Sequence, residues 1–301
     1  MILGSHVSFR ETQLLSSVKE AISYGANAFM FYTGAPQNTM RKDINKDYTL
    51  EAQKLMIENN IDINNVICHA PYIINLANRG NEEKWNFSIS FLMQEIHRCE
   101  ELGVKYIVLH PGSAVGITKE DGIKNIVDAL NYVLKEDDKC MILLETMAGK
   151  GTECGSSIEE IASIINGLVL KEKIGVCIDT CHISDAGYDI KDIDLYLDKF
   201  SSLIGLEKIK CVHINDSRNS VGTHKDRHAN FGFGEIGFDK LIKVINHPKL
   251  KDVPKILETP YIGDFDEDKN RIYPPYKFEI EMIRNNKFNS NLLEDIRTFY
   301  K

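Results

Sequence analysis

Nine side chains of metal-binding type stand at or just beyond the ends of short apolar segments in this 301-residue chain. Cys68-His69, Leu109-His110, Leu144-Glu145, Ile178-Asp179, Val212-His213 and Leu257-Glu258 each close such a segment, and His182, Asp226 and His228 follow in adjoining stretches. One imidazole or carboxylate at such a place has an ordinary structural use as a cap, an ion pair or a buried hydrogen-bonded group. Six consecutive segments ending this way are harder to explain so, because many acidic and basic groups turned toward one another require counter-ions. Five imidazoles and four carboxylates form a nitrogen and oxygen donor set without thiolate. Such a set suits zinc, with manganese or iron as substitutes. Catalytic zinc takes about three protein ligands and keeps a position open for water, so the set matches about three ions. Three divalent cations outweigh four carboxylates and leave a positive pocket, for which phosphate is the natural anion.

The elements that must position these groups alternate from end to end. Eight apolar segments read as strands: Ile2–Val7, Ala28–Tyr32, Val66–His69, Tyr106–His110, Met141–Glu145, Ile174–Asp179, Ile209–Ile214 and Lys255–Glu258. Between them, Leu14–Tyr24, Leu50–Asn60, Trp85–Leu102, Lys119–Lys135, Ser157–Ile165, Ile193–Leu203 and Phe238–Val244 repeat apolar residues at helical spacing. Gly25, Gly103 and Gly167 stand where helix-ending glycines belong. Alternating strands and helices imply a parallel sheet, and eight strands suit a closed (β/α)₈ barrel better than an open sheet. The expectation is one α/β domain over residues 1–301, a TIM barrel with a last helical cover over Pro274–Phe299. In such a barrel the C-terminal strand ends and the loops after them form one mouth, where these enzymes keep their active sites.

Composition sets wider limits. With 43% hydrophobic and 27% charged residues the chain is of ordinary globular type, and no apolar run reaches membrane-spanning length. The start, Met1 to His6, lacks the features of a secretory signal, and seven scattered cysteines read as reduced thiols, so a cytoplasmic location is expected. Cys177 and Cys211 alternate with Asp179 and His213 and should point into the barrel as small core residues. The net charge of −8 is unusual for a nucleic-acid-binding protein. The local field at the binding face decides that question, however, and metal ions reverse its sign.

Longer motifs carry a resemblance. His69-Ala70-Pro71-Tyr72-Ile73-Ile74-Asn75, Gly175 through His182, and Val212-His213-Ile214-Asn215-Asp216-Ser217 continuing to Lys225-Asp226-Arg227-His228 resemble signature segments of the endonuclease IV family. Gly4-Ser5-His6-Val7-Ser8 and Thr33 through Thr39 are similar to that family as well. Arg218 departs from it, since members often carry lysine there, and the two cations bind phosphate differently. The resemblance implies a TIM-barrel apurinic/apyrimidinic endonuclease with three zinc ions. It implies that His69 and His110 hold one ion, that Glu145 bridges it to a second held by Asp179, His213 and Glu258, and that His182, Asp226 and His228 hold the third. Hydrolysis 5′ to an abasic site in double-stranded DNA would give a 3′-hydroxyl and a 5′-deoxyribose phosphate, with trimming of 3′ ends as a further activity. Glu145 or Glu258 would also orient the nucleophile.

Recognition is expected from loops at the same mouth. Gln37, Asn38, Arg41, Tyr72, Arg218 and Arg227 are the candidates for DNA contact, with Gln37 and Tyr72 filling the gap beside the extruded lesion. Lys150 and Lys225 are further candidates for phosphate. His6 is a candidate supporting group rather than a ligand, and His97, His224 and His247 are set aside as structural or exposed. The rival reading is a metal-dependent sugar isomerase or epimerase on a similar barrel. It leaves His182, Asp226 and His228 without an evident task.

Overall fold

The computed structural model describes residues 1–266 and 268–301. Eight parallel strands close into a barrel: β1 (Leu3–His6), β2 (Ala28–Phe31), β3 (Val66–His69), β4 (Tyr106–Leu109), β5 (Met141–Glu145), β6 (Ile174–Asp179), β7 (Ile209–His213) and β10 (Lys255–Leu257). Neighbours in the chain are neighbours in the barrel, and β10 closes the ring by pairing with both β7 and β1. Between β7 and β10 a small antiparallel hairpin joins β8 (Asp216–Ser217) to β9 (His228–Ala229).

Side chains alternate across each strand, so each strand feeds two cores. The outward set, including Phe29, Phe31, Val66, Ile107, Leu109, Ile142, Leu144 and Val212, packs against the helices. The inward set forms a plug inside the barrel: Ala28, Met30, Ile67, Val108, Leu143, Cys177, Cys211 and Ile256. Two residues beyond the plug, on the same inward face, come His69, His110, Glu145, Asp179, His213 and Glu258. The period of two that builds the core therefore delivers the polar residues to one ring at the C-terminal mouth.

The helices that brace the strands begin with α1 (Leu14–Ser23) and α2 (Lys46–Glu58) and include α7 (Ile193–Leu203) and α8 (Phe238–Ile245), and several of them carry their own start signals. In α3 (Glu82–Glu101) the Asn81 side chain accepts from the Lys84 amide at 2.9 Å, and Glu82 and Glu83 complement the helix dipole. Thr118 and Ser157 cap α4 (Lys119–Val133) and α5 (Ile158–Asn166) in the same way. Gly25 and Gly103 end their helices with φ of 72° and 75°, as expected of left-handed termini. Gly167 does not: its backbone stays right-handed at φ −76°. There glycine is needed for space, since a Cβ would lie 2.8 Å from Val127.

The C-terminal cover is two helices, α9 (Tyr276–Arg284) and α10 (Leu292–Tyr300), with α9 against β1. Among the described residues no helix is long and apolar enough to cross a membrane.

Candidate metal centre

The ring at the mouth converges on Glu145. Its Oε2 lies 3.1 Å from His69 Nε2 and 3.0 Å from His110 Nε2. Its Oε1 lies 3.1 Å from His213 Nδ1 and 3.4 Å from His182 Nδ1. Glu258 Oε2 is 2.9 Å from the same His213 nitrogen, and Asp179 Oδ2 is 3.8 Å from it. A second focus lies to one side, where Asp226 Oδ1 stands 3.1 Å from His182 Nε2 and 3.6 Å from His228 Nε2. Without sulfur the donor atoms form three compact groups: His69, His110 and Glu145; Glu145, Asp179, His213 and Glu258; and His182, Asp226 and His228. Two further groups bring in thiols, Asp179 with Cys181 and His228, and His213 with Cys177 and Cys211. In each group they lie within 4.8 Å of one another, and Glu145 belongs to two of the groups.

The hydrogen bonds behind the imidazoles suit them to hold cations. His69 Nδ1 is 2.7 Å from the Ala70 carbonyl, His182 Nδ1 is 2.9 Å from that of Thr146, and His228 Nδ1 is 3.3 Å from that of Glu258. A carbonyl only accepts, so Nδ1 carries the proton in each ring, and the neutral ring turns a bare Nε2 lone pair toward the centre. There it meets carboxylate oxygens, which also only accept. A cation or a shared proton must reconcile such pairs. The buried Nε2 atoms of His213 and His228 have no hydrogen-bond partner among the described residues. The charges already strain toward that solution. Burial alone would depress the His182 imidazole, but Asp179, Asp226 and Glu145 lift it well above the usual histidine value. Burial would raise the Glu145 carboxyl, but His110 and His213 hold it well below the usual range. The donor set thus fits divalent cations, and its chemistry of imidazole and carboxylate suits zinc.

Supporting residues fix the ring in place. Asn215, two positions beyond His213 and so on the same face, donates to Asp179 Oδ2 at 2.6 Å and accepts from the Glu258 amide at 2.9 Å. Asp179 itself caps α6 (Thr180–Asp185), accepting from the His182 amide at 2.8 Å. That short helix turns His182 back over the mouth. At its end Asp185 accepts from Ser217 Oγ, Asn219 Nδ2 and the Asp226 amide. The last of these holds Asp226 in a left-handed conformation at φ 51°, which aspartate tolerates better than most residues. Asp216 anchors the return of the hairpin loop by accepting from the amides of Ser217, Gly234, Ile236 and Gly237. Tyr32 and His6 complete the circle, with ring centroids 5.0 Å from Tyr32 to His69 and 5.1 Å from His6 to Tyr32. Burial lowers the His6 imidazole to about 4, so it stays neutral.

Of the residues expected at DNA, Gln37, Asn38, Arg218 and Arg227 are exposed at the rim, and Tyr72 is 54% exposed beside His69. Lys150 and Lys225 are exposed as well. Arg218 lines a cleft of about 380 Å³ with Arg271 and Arg297. Arg41 differs from the expectation. Its guanidinium points inward, with Nε 2.6 Å from Glu95 Oε1, and the two side chains are 1% and 0% exposed. His97 is exposed on α3, and His224 and His247 hold the Ala148 carbonyl and Asp194, away from the donor groups.

Fold and site together define a TIM-barrel enzyme whose mouth carries candidate donor groups for metal ions. Residues 18–285 match the family described as xylose isomerase-like TIM barrel. The chain is 53% identical over 297 residues to a probable endonuclease 4 of Bacillus subtilis, covering 98% of both chains. Its structure is similar to that of endonuclease IV from Thermus thermophilus, with a TM-score of 0.78 at 28% identity over 98% of this chain and 100% of that one. A D-tagatose 3-epimerase-like protein matches at a TM-score of 0.67 and 19% identity, covering all of both chains, and shares the fold. The chain belongs to the endonuclease IV family.

Proposed function

We propose that this protein is an apurinic/apyrimidinic endonuclease of DNA repair. It hydrolyses the phosphodiester 5′ to an abasic site in duplex DNA, with three zinc ions held by the three donor groups and manganese or iron as substitutes. The products are a 3′-hydroxyl and a 5′-deoxyribose phosphate, and blocked 3′ ends are trimmed at the same site. The observation that carries this reading is the set of three adjacent donor groups, two of which share Glu145. A single-ion or two-ion reaction on a sugar leaves the group of His182, Asp226 and His228 without work. When bound, the ions acidify a water and neutralise charge on the phosphoryl oxygens and the leaving oxygen.

The side chains divide the remaining tasks by their exposure. Glu145 is 1% exposed, with both oxygens turned to imidazoles, so its part is to bridge two donor groups. Glu258 is 17% exposed at the open side, where its carboxylate can accept a proton from the attacking water and orient it toward phosphorus. Water oxygen then bonds to phosphorus, the bond from phosphorus to the 3′-oxygen breaks, and that oxygen takes a proton from solvent while Glu258 returns its own, so that one water is consumed. Tyr72 and Gln37 stand at the rim to fill the duplex once the abasic sugar is extruded, a step that costs least where no base stacks. Asn38, Arg218 and Arg227 contact the flanking backbone. The seven cysteines are all free and buried, which suits a reducing cytoplasm where the DNA substrate is found.

Incubation of the holoenzyme with a labelled duplex carrying one tetrahydrofuran abasic analogue tests the reading. Incision on the 5′ side with a 3′-hydroxyl end, abolished by prolonged chelation and restored by zinc, is expected. An intact duplex, together with turnover of small ketoses, would move the protein to the sugar epimerases.

A further inference from the structure

Directly below the donor ring, the inner layer of the barrel is apolar except at two places. Ala28, Met30, Ile67, Val108, Leu143 and Ile256 fill most of it, and Cys177 and Cys211 fill the rest. These two cysteines are register partners on β6 and β7, and neither is exposed. His213 stands two residues above Cys211 on the same face. Its Nδ1 is committed to Glu258 and Glu145, at 2.9 and 3.1 Å. Its Nε2 is buried and has no hydrogen-bond partner among the described residues. A ring nitrogen of His213 and both sulfurs lie within 4.8 Å of one another.

An imidazole that offers Nδ1 to a metal carries its proton on Nε2, and ligating histidines nearly always donate that proton to an outer acceptor. His69, His182 and His228 each spend their remaining N–H on a main-chain carbonyl. His213 has no such carbonyl, and sulfur is what the structure places near it. Resting on the metal-centre reading above, we propose that Cys177 and Cys211 are positioning residues for that centre. When Nδ1 holds a cation, the Nε2–H is taken by one of these two sulfurs near the ring, which fixes the tautomer and holds Nδ1 toward Glu145 and Glu258.

Substitution separates this role from core filling. As filler, valine replaces cysteine well, whereas serine buries a hydroxyl in an apolar layer and does worse. As acceptors the order reverses for metal binding, because serine still accepts and valine cannot. The experiment compares holoenzyme carrying Cys177→Val with Cys211→Val against Cys177→Ser with Cys211→Ser, the corresponding single variants serving where a double variant does not fold. Zinc release to a chromophoric chelator and the thermal midpoint of the metal-free chain are both read. The valine pair is expected to release zinc roughly 10–100-fold faster than wild type, as for lost outer-shell partners. The serine pair should stay near wild type, even though its metal-free chain melts lower than that of the valine pair. Wild-type retention in the valine pair, or zinc loss that simply follows the metal-free midpoint, overturns the inference. A wild-type chain that takes up no zinc would sink the metal-centre reading itself, a result distinguishable from normal uptake with unaltered variants.

Discussion

Arg41 separates two ways in which a basic residue can serve DNA binding. Its Nε meets Glu95 at 2.6 Å, and its Nη1 donates to the carbonyls of Asn38 and Met40 at 3.2 and 2.9 Å. Glu95 also accepts from Thr33 Oγ1 at 2.6 Å. Arg98 donates to that hydroxyl and to the carbonyls of Thr33 and Lys42. This cluster fastens the loop after β2, which carries Gln37 and Asn38, onto α3. Under the proposed function, Arg41 serves DNA binding by positioning that loop. Removing one partner of a buried pair costs about 3–5 kcal/mol, part of which the loop recovers by opening to water. With about 1.4 kcal/mol per tenfold, affinity for abasic duplex should fall by up to about 100-fold. The assay is duplex affinity against salt concentration for Arg41→Ala and Glu95→Gln. A lost phosphate contact would flatten the logarithmic salt slope by about 0.9. The structure predicts an unchanged slope and similar losses in both variants, although Glu95→Gln removes a negative charge. A flatter slope in Arg41→Ala, with undiminished affinity in Glu95→Gln, would refute the reasoning.

Glu145→Gln should remove metal from two of the three donor groups and lower incision by more than about 100-fold, beyond what a lost orienting partner costs. His228→Ala should empty one group only, and elemental analysis of the purified chains distinguishes the two results. Asp216→Asn turns a donor toward the Gly234 amide, now 2.9 Å from Oδ2, and should destabilise the hairpin loop by about 1–3 kcal/mol in urea titrations. Burial pushes the Glu279 carboxyl up to about 7 from 4.5, where it holds Thr259, Asn230 and the Phe231 amide. Its contribution is complete below pH 4.5 and is lost as pH rises through 7, by no more than about 3 kcal/mol. Glu279→Gln cannot ionise and should flatten the fall in urea midpoint across that window.

The barrel was legible because one alternation served both its core and its site. Each strand lies within about a residue of its apolar segment, and the inward phase ends on an imidazole or carboxylate from β3 onward. What sequence reasoning missed lacked a period. The six residues of α6 follow β6 without a break, and two-residue strands such as β8 and β9 carry no alternation to detect. Tyr32 carries no signal of its own in the sequence, because tyrosine is a poor ligand, whereas His6 is expected as a supporting group and stands beside it with ring centroids 5.1 Å apart. Asn215 could have been found from its spacing of two from His213. Arg41 could not, because the partner that buries it lies 54 residues away on α3. A charge in a polar loop reads as solvated until its neighbours are known.

Anomalous diffraction at the zinc edge from crystals of the zinc-loaded enzyme locates the ions themselves. Three peaks are expected, two of them flanking Glu145 and the third among His182, Asp226 and His228. One or two peaks, with His182, Asp226 and His228 left unoccupied at saturating zinc, would contradict the three-ion centre.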